Sequence, residues 1–150
     1  PGGENASIDR MMNETATRET FRIKGESTIT VNDYQNGRKF DDALCYSFYP
    51  IDLHTKDGVV PKHLKRGVVP TIPRGSLIPK GSTNLMVAGR CLSSDRYANS
   101  AARVQASCMG MGQAAACTAV LAAKSSTTPK EVPLGEIHGL LREHGAIVPS

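Results

Sequence analysis

The chain reads as an α/β fold of short mixed strands and one long helix built from small residues. Two stretches carry that expectation. Residues 84–89 are a short apolar run closed by Gly89, which suits a buried strand whose end is closely approached by something else. Residues 107–117 then open a helix, with Ser107 as its cap and Gly110 and Gly112 in its first turns. A helical glycine costs roughly 1 kcal/mol against alanine, so the pair calls for a reason. Close contact with a ligand or another backbone supplies one, beside amides that attract negative charge. Such an arrangement suits a large planar or phosphorylated cofactor.

The other elements follow in chain order. Residues 1–12 are rich in Gly, Asn and Asp and form a loose lead-in. Residues 18–24 alternate well enough for a strand with one wet face. Thr30 is placed to cap a short helix over 31–36, with Asp33 in its first turn and Gly37 at its end. Residues 43–49 read as a half-buried strand and 50–54 as an extended continuation. Glycine, proline and lysine make 55–73 mostly loop. The prolines keep 72–79 extended, because each biases its predecessor away from helix. Residues 125–133 are a polar linker. Leu134, Ile137, Leu140 and Leu141 then fall on one side of a final helix that Gly145 stops. No internal repeat is visible.

Composition narrows the function. With 150 residues, the chain has material for one core with a satellite lobe. At 39% hydrophobic and 21% charged it is ordinary globular material. A net charge of +4 with 5% aromatic residues leaves few stacking platforms for bases. The one dense basic run, Lys62, His63, Lys65 and Arg66, has no aromatic residue within it, so a solvated loop is preferred to nucleic-acid binding. The four cysteines, Cys45, Cys91, Cys108 and Cys117, have no C-x-x-C spacing and read as reduced thiols. No metal-ligand pattern and no membrane-spanning segment are expected. The chain begins with Pro1 rather than methionine, so its start looks cut.

A set of blocks in fixed order carries a resemblance. It runs through Arg18-Glu19-Thr20, residues 37–43, 49–54 and 76–80, then 84–91 and Ala102-Arg103-Val104-Gln105, and closes with 108–115 and 141–146. Together they resemble the carboxyl-terminal portion of a bacterial FAD-dependent oxidoreductase, distantly similar to the fumarate-reductase and glutathione-reductase flavoproteins. The resemblance implies a fragment of an FAD/NAD(P)-binding, Rossmann-like flavoprotein. It also implies a division of the chain: lead-in over 1–17, part of a substrate-side lobe over 18–75, the closing strand and helix of the FAD-binding domain over 76–124, and linker with terminal helix over 125–150. On this likeness Ala88, Gly89 and Arg90 lie beside the FAD ribityl and phosphate. Met109, Gly110, Met111, Gly112 and Gln113 present the helix start to the flavin pyrimidine edge. Arg90 or Arg103 supplies a cation for the reduced flavin. His54 and Asp52 are the candidates for proton transfer in the redox of a small substrate. The sequence departs from its relatives at Arg74 and Arg96, two positions the likeness puts near that substrate.

The resemblance also points to a missing part. Flavoproteins of this type open with G-x-G-x-x-G after a first strand, and no such opening occurs here. Residues 110–115 fit G-x-G-x-x-A, but what precedes them does not read as a strand entering a tight turn, so they are taken as the closing flavin helix. The chain alone is therefore expected to bind FAD weakly or not at all and to need the absent region as partner, with no metal, nucleic acid or membrane. The alternative is a non-catalytic fragment that self-associates as a homo-oligomer through the face its lost partner would cover.

Overall fold

The computed structural model describes Ser7, Asp9, Arg18 and residues 21–150. The loose lead-in expected over 1–17 lies outside these residues apart from Ser7 and Asp9. Helix α1 (Val31–Gln35) forms where Thr30 and Asp33 make a reciprocal capping box, and Gly37 leaves it at φ 61°. Strand β1 (Ala43–Tyr46) follows and pairs antiparallel with β2 (Thr71–Pro73), with an irregularity between Ala43 and Cys45. A single 3₁₀ turn over Arg74–Leu77 leaves β2. Helices α2 (Arg96–Ala102), α3 (Gln105–Lys124) and α4 (Leu134–Glu143) complete the chain. Helices with one small two-stranded sheet are the α/β mixture that was expected.

The core sits where α3 crosses β1 and receives α4. Met111 and Ala114 of α3 meet Leu44, Cys45 and Ile72 from the sheet and Ile137 and Leu141 from α4, all buried. A hydroxyl chain runs through the same layer. The Tyr34 hydroxyl is 3.1 Å from Ser47 Oγ, which is 2.8 Å from Ser107 Oγ, joining α1, the residue after β1 and α3. Tyr34 also donates to the carbonyl of Tyr49, which anchors the segment leaving β1.

Several expected elements take another form. Residues 84–89 are not a buried strand: Leu85 is exposed, and one ladder bond, Val87 N–H to Leu77 C=O, ties the segment down. A strand exists only through a neighbour's hydrogen bonds, and among the described residues no strand runs beside this one. Residues 21–24 likewise form no strand, although Ile23 donates to the Cys91 carbonyl and Lys80 to that of Lys24. Ser107 does not cap α3. The helix starts two residues earlier behind Val104, and Ser107 is buried inside its first turn, held by Ser47. Helix α2 was not anticipated; its start is set by Asp95, whose carboxylate accepts from Ala98 N–H at 2.8 Å. Of the extended 72–79, only the first two residues lie in β2. Contrary to expectation, α3 is long and apolar enough by length and composition to cross a membrane. A third of that window is buried against the rest of the fold. Helix α4 appears as read, with Ile137 and Leu141 buried, Leu134 and Leu140 packed against the core, and Gly145 at φ 74°.

Candidate functional site

A cleft of about 540 Å³ opens at the amino end of α3. Its walls come from three places: Tyr49 and Asp52 after β1, Arg90 in the turn before α2, and the α2–α3 junction with Ser100, Arg103, Val104, Gln105 and Cys108. Arg18 closes the rim. No side chain caps α3, so its first-turn amides lack an intrahelical partner, and Val104 and Gln105 at that end line the cleft. A twenty-residue helix ending there adds the positive end of its dipole.

The walls are tied to one another by backbone bonds. Arg103 Nη2 donates to the Asp52 carbonyl at 3.1 Å and Nε to the Ser100 carbonyl at 3.3 Å. Ser100 Oγ in turn accepts from Asp52 N–H. The segment after β1 is thereby pinned to α2, and Asp52 is held at the cleft. On the opposite wall, Asn99 Nδ2 donates to the Arg90 carbonyl at 3.0 Å. Gly89 stands beside it at φ 83°, and a Cβ there would lie 3.5 Å from Cys108 Sγ. That backbone conformation, more than the space, favours glycine.

His54 and Asp52 pair at the rim. His54 Nε2 is 3.5 Å from Asp52 Oδ2, with both side chains partly exposed. Arg18 Nη2 is 2.9 Å from the same nitrogen and 3.3 Å from Nδ1. A nitrogen this near to both ring nitrogens stands over the face of the imidazole rather than on either lone pair. The Cys108 thiol is pushed up by burial, and the Cys91 thiol adds to that rise while the positive charge of Arg90 opposes it. Among the described residues no group of His, Cys, Asp and Glu is placed to hold a metal ion.

The structure therefore gathers Asp52, Arg90 and Arg103 at the cleft, with His54 outside its lining beside Asp52 and Arg18, and with Ala88 and Gly89 preceding Arg90. It does not bring 109–113 there. Met109 is three-quarters exposed, Met111 is fully buried in the core, and a Cβ on Gly112 would meet nothing within 4 Å. Gly110 packs on Cys45, and together with Gln113 it lines a separate groove beside Ile147. Because α3 begins at Gln105, the amides of 109–113 belong to its second and third turns and are spent within the helix. For the same reason 110–115 is not the turn of a dinucleotide fingerprint. Arg74 stands away from the cleft: its half-buried guanidinium donates to the carbonyls of Val132 and Pro129. Sequence reasoning did not single out Arg18, Tyr49, Ser100, Val104 or Gln105 as lining residues. The Arg103-Val104-Gln105 run directly before the small-residue helix was the available signal.

Uncapped amides, two flanking guanidinium groups and a close-approaching glycine suit a ligand that carries or gains negative charge at one edge. A family model for FAD-dependent oxidoreductases matches residues 1–141, and the chain belongs to that family. FAD is the cofactor of the family. No curated protein and no solved structure matches the chain. The cleft fits the flavin end of FAD by the chemistry of its donors. For the pyrophosphate, the described residues contain no glycine-rich strand–turn–helix cradle.

Proposed function

We infer that the chain is the carboxyl-terminal part of an FAD-dependent oxidoreductase and that the cleft before α3 is where flavin and substrate meet. The observation that supports this most is the convergence of Arg90, Arg103 and the uncapped start of α3 on one cleft that also holds Asp52. FAD, when bound, supplies two-electron redox chemistry. The chain's own residues do the rest. Arg90, Arg103 and the first amides of α3 would hold the pyrimidine edge of the flavin and favour negative charge there, while Ala88 and Gly89 would let the backbone come close. His54, paired with Asp52, carries the substrate proton. The phosphate-binding half of a Rossmann-like domain is assigned to a partner region, and the substrate is a small molecule. Likeness to the bacterial fumarate-reductase and glutathione-reductase flavoproteins belongs to this reading.

Titration of the chain with FAD, followed by visible absorption and flavin fluorescence, tests it. Weak binding is expected, and Arg90→Gln should weaken it about tenfold, as loss of a charge-assisted hydrogen bond does. Gly112→Ala, which meets open space, should leave it unchanged. If Arg90→Gln binds as the parent does, the cleft is not the flavin site.

The second reading is a non-catalytic, self-associating unit. It is favoured by the outer side of α3, where Ala106, Met109, Ala116, Ala119, Val120 and Ala123 are exposed.

A further inference from the structure

Neighbouring side chains after β1 serve two different cavities. Asp52 lines the cleft, whereas Ile51 and Leu53 line a second groove of about 450 Å³. A hairpin arm forms one side of that groove through Val60 and Lys62. Its ends are fixed, because Ile51 and Lys62 exchange both backbone bonds, as do Thr55 and Gly58 around the turn. Helix α1 and Tyr97 in the first turn of α2 supply the rest. Three kinds of surface meet here. The apolar part is uncovered: Val60 is 90% exposed and Tyr97 52%. Asn32 and Gln35 of α1 bring two side-chain amides, each with donors and an acceptor, that nothing among the described residues bonds. The charge is positive. Lys62 lines the groove, and Lys56, Lys65 and Arg66 stand exposed on the arm and the turn after it, with Asp57 the single carboxylate across residues 54–69. The acids at α1 and the start of α2 are engaged elsewhere: Asp33 with Thr30 and Arg38, Asp95 with the amides of Val31 and Ala98.

We propose that this groove docks an acidic segment of a partner protein, an apolar side chain of which seats against Val60 and Tyr97. Asn32 and Gln35 bond the main chain of the segment, and its carboxylates face Lys62 and the basic turns. Each alternative polyanion uses only part of this surface. A nucleic acid matches the cations but finds no aromatic residue within the basic run to stack on. An anionic bilayer matches the cations and the exposed Val60, but its headgroups offer no chain of amides to Asn32 and Gln35. An acidic peptide uses all three. Positive charge on an exposed arm also steers such a partner to the groove, so binding weakens with salt. No residue of the flavin cleft takes part, yet a seated partner grips the piece of chain that carries Asp52.

The test is an NMR titration of the full chain with an acidic nonapeptide, glutamates about one central leucine, following the side-chain amides of Asn32 and Gln35. Those signals should shift saturably. Replacing the glutamates by glutamine, or the leucine by serine, should weaken the response at least about fivefold. In the chain, Lys62→Glu should weaken it about tenfold and Val60→Ser about fivefold. Lys124→Glu, at the carboxyl end of α3, should leave it unchanged. Lys62 and Val60 are exposed, so both variants leave the core intact, and the methyl signal of the buried Met111 reports that each is folded. No shift with the peptide, or an equal shift with its glutamine form, overturns the proposal. So does a full response in folded Lys62→Glu and Val60→Ser. Vesicles of phosphatidylserine with phosphatidylcholine and a DNA duplex are titrated in parallel. If either moves the two amides while the peptide does not, the groove is a lipid or nucleic-acid surface. If the amides move on raising the concentration of the chain alone, it is the contact between two copies. In each case the acidic-segment assignment falls.

Discussion

Cys45 shows how a single position in this fold is decided by its surroundings. Its thiol lies in the seam between β1 and α3, with Gly110 of the facing helix 3.7 Å away at the position a Cβ would take. Burial pushes the thiol up to about 12. A thiolate is the reactive form, so this cysteine is inert at neutral pH despite its small size. Cys117, buried on the same helix as Gly110, is raised for the same reason. Alkylation with iodoacetamide at pH 8, read by mass spectrometry, should leave Cys45 unmodified until the chain is denatured. Rapid native labelling would mean that the β1–α3 seam opens.

At the scale of elements, α1 is held by charge as well as by capping. Burial works against ionisation of Asp33, but the hydroxyl and amide of Thr30 and the guanidinium of Arg38, 2.9 Å away, outweigh it and hold the carboxyl below its ordinary value. The sign follows from linkage. A carboxylate depressed in the folded state contributes stability that is fully present above its unfolded pKa of about 3.9 and is lost as the pH falls through the lower folded value. Asp33→Asn should therefore cost about 1 kcal/mol at neutral pH and lose part of the acid destabilisation below about pH 4. Urea unfolding at pH 7 and pH 3 checks both limbs, and an acid limb unchanged by the substitution would remove Asp33 from the account. This element was legible because its cause is local: Thr30 and Asp33 stand three residues apart, and Gly37 follows. Helix α4 was legible on the same grounds, through the spacing of Ile137 and Leu141 and the stop at Gly145. Helix α2 was not, because it buries only alanines with Asn99 and Ser100, and its first turn depends on Asp95, which also bonds Val31 N–H from α1.

For the whole molecule, α3 sets the arrangement. Its inner side carries Met111, Ala114 and Thr118 into the core, whereas its outer side shows Met109 and Val120 to solvent. A helix apolar on all sides is normally covered on all sides. Sedimentation should accordingly show concentration-dependent self-association of the chain, and the pair Met109→Lys with Val120→Lys should return it to monomer without loss of helix content. A monomer at every concentration in the parent chain would mean that this side needs no cover.

Sequence by itself determined what depends on neighbours along the chain: the capping box of α1, the apolar stripe of α4, the existence of a long small-residue helix, and the ordered blocks that mark an FAD-dependent oxidoreductase. Only the tertiary structure decided what depends on partners far apart. Residues 84–89 are apolar enough for a strand but lack a neighbour to pair with. Helix α3 starts behind Val104, and Ser107 is bonded by Ser47 across 60 residues instead of serving as its cap. That shift moved the free amides from 109–113 to the residues after Val104. Arg18 and His54, 36 residues apart, likewise meet only in the folded chain. Local sequence encodes hydrogen bonds that close within a turn, whereas a cleft is made by bonds such as Arg103 to the Asp52 carbonyl, whose ends meet only when the chain has folded.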